Sequence, residues 1–322
     1  MHRIIKRLTK WFVRTASVFL PKARQHDLER WRWGREEHWK YKRCDYVFAS
    51  YKKSGRTWVR VMVSRYLQQA HDNIPDAVIL GFDDFHELNH AIPKIFFTHD
   101  NHLRRYTGNE DSLKDYYDCK TVLLVRKPQD VAVSQFFQWK HRMKPYKKAM
   151  YDYPAHNADI SIYDFVMHEG QGLPQIIRVQ NEWIAELTRI KTLLIVRYED
   201  LRVHPQRELT RLMKFLGEDV VPAVIEEAVE FASVENLRKM ESENHFWRSG
   251  RRVKAADTSN PDSYKVRKAK VGGYKDYFED DQIAQIDAFV DEHLLPGFGY
   301  TSAEEPEAGE RMTPEEPSAQ LR

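Results

Sequence analysis

From Tyr41 onward the chain alternates short runs of β-branched and aromatic residues with longer stretches of helical period, and no other feature limits its fold so tightly. The runs are Tyr46 to Ala49, Ile95 to Thr98, Val122 to Val125 and Leu193 to Val196. Apolar residues in unbroken succession suit strands covered on both faces, the condition of a parallel sheet. The stretches between them predict helices over Thr57 to Gln69, Asp130 to Arg142, Gln175 to Ile190 and Pro205 to Leu216, with another over Asp281 to Leu294. Such alternation dictates βαβ units with right-handed crossovers. The expected fold is therefore α/β, a three-layer domain with a central parallel sheet flanked by helices.

The ends have a different texture. Residues 1 to 24 contain no Asp or Glu and carry seven lysines and arginines, with Ile4, Ile5, Leu8, Trp11, Phe12 and Phe19 between them. Helical spacing gathers most of these apolar residues on one side. Such a helix fits an anionic membrane surface and fits equally the face of its own domain. We expect a basic amphipathic extension over 1–40, a main domain over 41–302 and a disordered tail over 303–322, where Glu and Pro recur and apolar residues are scarce. Residues 242–265 are polar and lack a period, as a long surface loop would.

Bulk properties exclude several classes. A formal net charge of +3 over 322 residues gives no dense basic face, so no nucleic-acid partner is expected. Cys44 and Cys119 are too few for a disulfide framework or a tetrahedral zinc site, and no other metal-ligand set is legible. No run approaches the ~20 apolar residues of a membrane span, and no targeting signal is evident. The expected location is cytoplasmic, peripheral on the membrane if the extension binds one.

Chemistry enters at Ser50-Tyr-Lys-Lys-Ser-Gly-Arg-Thr-Trp58, between the first expected strand and a helix. A turn there gathers backbone N–H groups, a lysine and hydroxyls at a helix N-terminus, whose field favours anions. It is not a Walker A loop, because Val47 and Lys52 stand where that motif needs glycine. Taken alone, the segment also fits an ordinary strand-to-helix connection with a surface lysine. It resembles, however, the YPKSGTTW loop of the PAPS-dependent sulfotransferases. PAPS is 3′-phosphoadenosine 5′-phosphosulfate. Lys53, Ser54, Gly55, Thr57 and Trp58 match, Lys52 replaces the family's proline, and Arg56 replaces its first threonine.

Two further segments resemble the same family in the same order. Val122 to Ser134 is similar to VxRNPKDVAVS, which implies that Arg126 and Ser134 grip the donor's 3′-phosphate. Val266 to Phe278 is similar to RKGxxGDWKxxF, which implies the same for Arg267 and Lys268. Ala269 stands where the family usually has glycine, so a backbone contact from it requires that the chain avoid a left-handed conformation there. The resemblance further implies a P-loop-like fold, a 5′-phosphosulfate held by Lys53 to Thr57, and adenine against Trp58, Tyr198 and Ser233. It places the general base at His99, in a family KTH tripeptide whose lysine is here Phe97.

The implied reaction is in-line transfer of a sulfuryl group from PAPS to a hydroxyl or amine, without metal. His99 takes the proton, Lys53 offsets charge on the departing phosphate oxygen, and Ser134 holds Lys53 back until the acceptor arrives. A nucleotide-dependent kinase and a non-catalytic, membrane-associated nucleotide-binding protein are the rival readings. The acceptor, a small molecule, glycan or lipid, is not legible, nor is the oligomeric state. The run Lys140, His141, Arg142, Lys144, Tyr146, Lys147, Lys148 is either an anion-attracting wall of its pocket or a solvated charged face.

Overall fold

The computed structural model describes residues 19–247 and 257–304. The expected membrane surface or packing face of residues 1–24 and the expected tail therefore lie almost wholly outside the described residues. Four parallel strands form one sheet: β1 (Tyr46–Ser50), β2 (Ile95–Thr98), β3 (Lys120–Val125) and β4 (Thr192–Arg197), in the spatial order β2-β1-β3-β4. Phe48 pairs with Phe97 on one side and Val122 on the other, and Leu124 pairs with Val196. Each expected strand is present, and β3 and β4 extend slightly beyond their apolar runs.

Side chains of β1 alternate between two cores. Tyr46 and Phe48 join Val122, Leu124 and Val196 beneath one helical layer, while Val47 and Ala49 join Leu123 and Val125 beneath the other. The first layer includes α2 (Arg56–Ala70), α9 (Pro205–Phe215) and α10 (Pro222–Phe231); the second includes α4 (Pro128–Phe137), α7 (Leu173–Glu186) and α12 (Asp280–His293). These are numbered in chain order with α1 (Lys22–Tyr41), α3 (Leu103–Thr107), α5 (Pro145–Met150), α6 (Ile162–Val166), α8 (Tyr198–Val203) and α11 (Val234–Ser242). Burying both faces of every strand explains the unbroken apolar runs.

Several elements depart from expectation. The helix foreseen over Asp130 to Arg142 ends as α at Phe137 and continues as one π turn over Gln138–Arg142, a distortion often found where a helix serves a site. Helices α10 and α11 were not foreseen. Helix α1 packs on α3 and β2 within the region read as an extension. Gly34 permits that approach, because a Cβ there would stand 2.6 Å from Cβ of Tyr106 and 2.9 Å from the His102 carbonyl. The same packing shelters Glu37 beside Asp100, and burial first, then that second carboxylate, pushes Glu37 up to about 7.

Candidate active site

All four strands point their carboxyl ends at one cavity. Lys53 follows β1, His99 follows β2, Arg126 follows β3 and Tyr198 follows β4. The order β2-β1-β3 means that the chain leaves β1 toward one side and returns to β3 on the other, and ligand crevices open at such switch points. The cavity measures about 750 Å³. Of the residues singled out from sequence, Lys53, Gly55, Arg56, Thr57, Trp58, His99, Arg126, Ser134, Tyr198, Arg267, Lys268 and Ala269 all line it.

The loop after β1 is a tight cradle. Lys53 has a φ of 69° and Gly55 a φ of 97°, so two residues nearly adjacent in sequence turn left-handed to start α2. Only glycine fits the second position, since a Cβ would meet the Tyr198 ring at 2.6 Å. The carbonyl of Lys53 accepts a hydrogen bond of 3.1 Å from Arg126. Burial, and then the Arg142 and Arg126 guanidiniums, lower the Lys53 ammonium to about 7. Ser54 is buried beneath the cradle, and its hydroxyl has no hydrogen-bond partner among the described residues.

Two rings form the wall above. Trp58 meets Tyr198 edge to face at 5.7 Å and donates its indole N–H to the Ala232 carbonyl at 2.8 Å. Arg126 lies over the Tyr198 ring at 4.2 Å. Ser233 is placed otherwise than the family resemblance implied. Its hydroxyl caps α11 by accepting from the Asn236 N–H at 3.3 Å, and Val234 and Leu237 line the cavity instead.

The third segment is clasped to the second by Asp130, a residue the sequence reading passed over. Its two carboxylate oxygens accept the backbone N–H groups of Gly272 and Tyr274 at 2.9 and 3.0 Å, and one lies 3.8 Å from Arg126. Upstream, Glu241 is fully buried and accepts the N–H groups of Lys265 and Val266 at 2.6 and 3.2 Å. Between these anchors Arg267 stacks on Phe137 at 3.7 Å, and Lys268 bridges to Asp276 at 3.2 Å. Ala269 has a φ of 53°, so the condition for its backbone contact is not met. A side chain in that region is strained by about 1–2 kcal/mol.

His99 faces the cavity from the end of β2. Its Nδ1 lies 3.0 Å from the Ser50 carbonyl, which can only accept, so the proton sits on Nδ1 and the lone pair on Nε2. Burial, followed by the charge of Arg56, holds its pKa well below the usual imidazole value. Phe97, which stands where the family has lysine, carries the Arg60 guanidinium over its ring at 4.2 Å. A cation thus reaches this side of the cavity from α2. His102 turns away and meets the Tyr151 hydroxyl at 3.1 Å. Of the basic run after α4, Arg142, Lys144, Tyr146 and Lys147 line the cavity, whereas Lys148 is buried against Trp139.

Fold and cavity together define a P-loop-like α/β domain with an anion-binding cleft at its strand ends. The model of the sulfotransferase domain matches residues 43–296, and the chain belongs to that family. It is 26% identical to cytosolic sulfotransferase 13 of Arabidopsis thaliana over 278 residues, which cover 81% of this chain and 80% of that protein. It is 25% identical to flavonol 4′-sulfotransferase of Flaveria chlorifolia over 282 residues, covering 80% and 82% respectively. Among solved structures it is similar in fold to mouse sulfotransferase SULT7A1 complexed with PAP, with a TM-score of 0.51, 21% identity, and coverage of 79% of this chain and 86% of that one. Among the described residues no helix is long and apolar enough to cross a membrane.

Proposed function

We propose that this sulfotransferase takes its sulfuryl group from PAPS and passes it to an acceptor hydroxyl or amine, with His99 as base. One observation carries the reading: three segments far apart in sequence bring Lys53 with Arg56, Arg126 with Ser134, and Arg267 with Lys268 to one cavity. The residues fit such a donor. A buried Ser54 hydroxyl without a partner among the described residues, in the loop that starts α2, suits an anion held there. Arg126, Ser134, Arg267 and Lys268 would hold a 3′-phosphate, and Trp58 with Tyr198 would receive a purine face.

When bound, the donor supplies an activated sulfuryl group; positioning and fixed positive charge do the remaining work. Nε2 of His99 accepts the acceptor's proton as the acceptor oxygen or nitrogen bonds to sulfur. Lys53, as ammonium, offsets the charge that collects on the phosphate oxygen released from sulfur. Ser134 lines the same cavity as Lys53 and would hold that ammonium between turnovers.

Calorimetry with adenosine 3′,5′-bisphosphate and AMP tests the donor assignment. Hydrogen bonds to charged groups contribute ~1.5 to 3 kcal/mol each, so the bisphosphate should bind at least about a hundredfold more tightly. Arg126→Ala should lose most of that preference. Equal affinity of the wild-type protein for both nucleotides would sink the assignment.

A further inference from the structure

A second cavity, of about 650 Å³, lies beside the first, and Tyr146, Lys147 and Tyr151 line both. Most of its wall is one face of α1, from Gln25 to Lys40, which precedes the residues 43–296 that match the family. The second cavity also approaches the base. Glu37, on its wall, accepts a hydrogen bond of 3.5 Å from the hydroxyl of Thr98, the residue before His99.

The lining is polar, yet its charges are balanced. Arg32 is bridged to Glu29 at 2.7 Å and Lys40 to Glu36 at 2.8 Å, which leaves Glu37 and Lys147, one group of each sign, outside any salt bridge among the described residues. Burial pushes both of these toward their neutral forms, Glu37 up to about 7 and Lys147 downward. A charged ligand would have to compete with the two ion pairs. A hydroxyl can donate to a paired carboxylate, or accept from a paired cation, without breaking the pair. The same wall carries flat rings. Trp33 and Tyr151 lie within 16° of parallel with their centres 6.2 Å apart, and Met150 is the only apolar side chain without a ring among the described lining residues. Rings set among charged groups suit a molecule that is apolar on its face and hydroxylated around its edge.

We propose that the acceptor carries an uncharged, hydroxyl-rich unit, a sugar, which lies in the second cavity against Trp33 and Tyr151 while the hydroxyl to be sulfated reaches His99. The inference rests on the PAPS reading and names the substrate class for that same site.

The test compares arbutin, a phenol with a glucosyloxy group opposite its hydroxyl, with 4-methoxyphenol, which has a methyl group in place of that sugar. Calorimetry is performed on the full-length protein saturated with adenosine 3′,5′-bisphosphate, so that the donor's positions are filled. Arbutin should bind at least about tenfold more tightly, and the ratio should hold as salt rises, because the added unit is uncharged. With PAPS as donor, KM should show the same order. Trp33→Ala should reduce the ratio to about threefold or less. Tyr146→Ala, which removes an exposed ring and leaves the core intact, should lower it as well. If the bisphosphate binds and the two phenols then bind equally, the sugar-bearing acceptor is wrong while the sulfotransfer reading stands. Tighter binding of tyramine, which carries an ammonium on the same phenol, than of arbutin would show that the cavity selects charge, and would overturn the proposal too. If the bisphosphate does not bind, both readings fall together.

Discussion

At the scale of single residues, Lys53 concentrates the demands of the site. It adopts a left-handed backbone conformation, its carbonyl is held by Arg126, and its ammonium is lowered to about 7 by burial and by two guanidiniums. Near pH 8 most of it is neutral in the free protein. A nucleotide phosphate beside it favours the ammonium, so binding adenosine 3′,5′-bisphosphate at pH 8 should take up a proton, and affinity should fall as pH rises above 7. Calorimetry in buffers of different ionisation enthalpy measures that uptake, and Lys53→Met should abolish most of it. The same variant should lose kcat; a change in KM alone would contradict a role on the departing oxygen. Lys53 and Gly55 were legible in the sequence because a loop that binds anions through its backbone restricts which residues fit. Asp130 and Glu241 were not, since a carboxylate that accepts backbone N–H groups from a distant segment leaves no local pattern.

At the scale of elements, legibility followed periodicity. Strands β1 to β4 and helices α2, α7, α9 and α12 were plain because their buried faces are apolar and regular. Helix α1 was obscure for the opposite reason: its fully buried positions are Arg32 and Gly34, which form no apolar stripe. Ser233 caps α11, a role that its sequence alone does not separate from that of a ligand, because a serine before a helix serves as either. Helix α1 also carries a pH-dependent term. Folded Glu37 keeps its proton to about pH 7, whereas the unfolded chain releases it near 4.5. Between these values the folded state binds more protons, so this carboxyl lowers stability progressively as pH rises from 4.5 to 7, and the loss persists above. Glu37→Gln should therefore stabilise the protein by up to about 3 kcal/mol at pH 8 and hardly at all near pH 4. Urea unfolding at both pH values checks this; an equal gain at both would point to packing instead of ionisation.

At the scale of the molecule, the two anchors of the third segment set how the site opens. Glu241 fixes the chain at Lys265 and Val266, and Asp130 fixes it at Gly272 and Tyr274. The intervening residues, with Arg267 and Lys268, form a span pinned at both abutments, with Arg238 donating to the Arg267 carbonyl between them. Such a span does not fray residue by residue; it lifts when one abutment gives way. Releasing either end, by Asp130→Ala or Glu241→Ala, should raise amide hydrogen exchange across residues 266 to 274 together, while strand β3 stays protected. Exchange confined to the cut end would show that the span is not one unit. For turnover the consequence is mechanical. On the proposed donor site, a nucleotide held by Arg267 and Lys268 would leave as the whole span swings, so product release would be a single opening event governed by the carboxylates of Asp130 and Glu241.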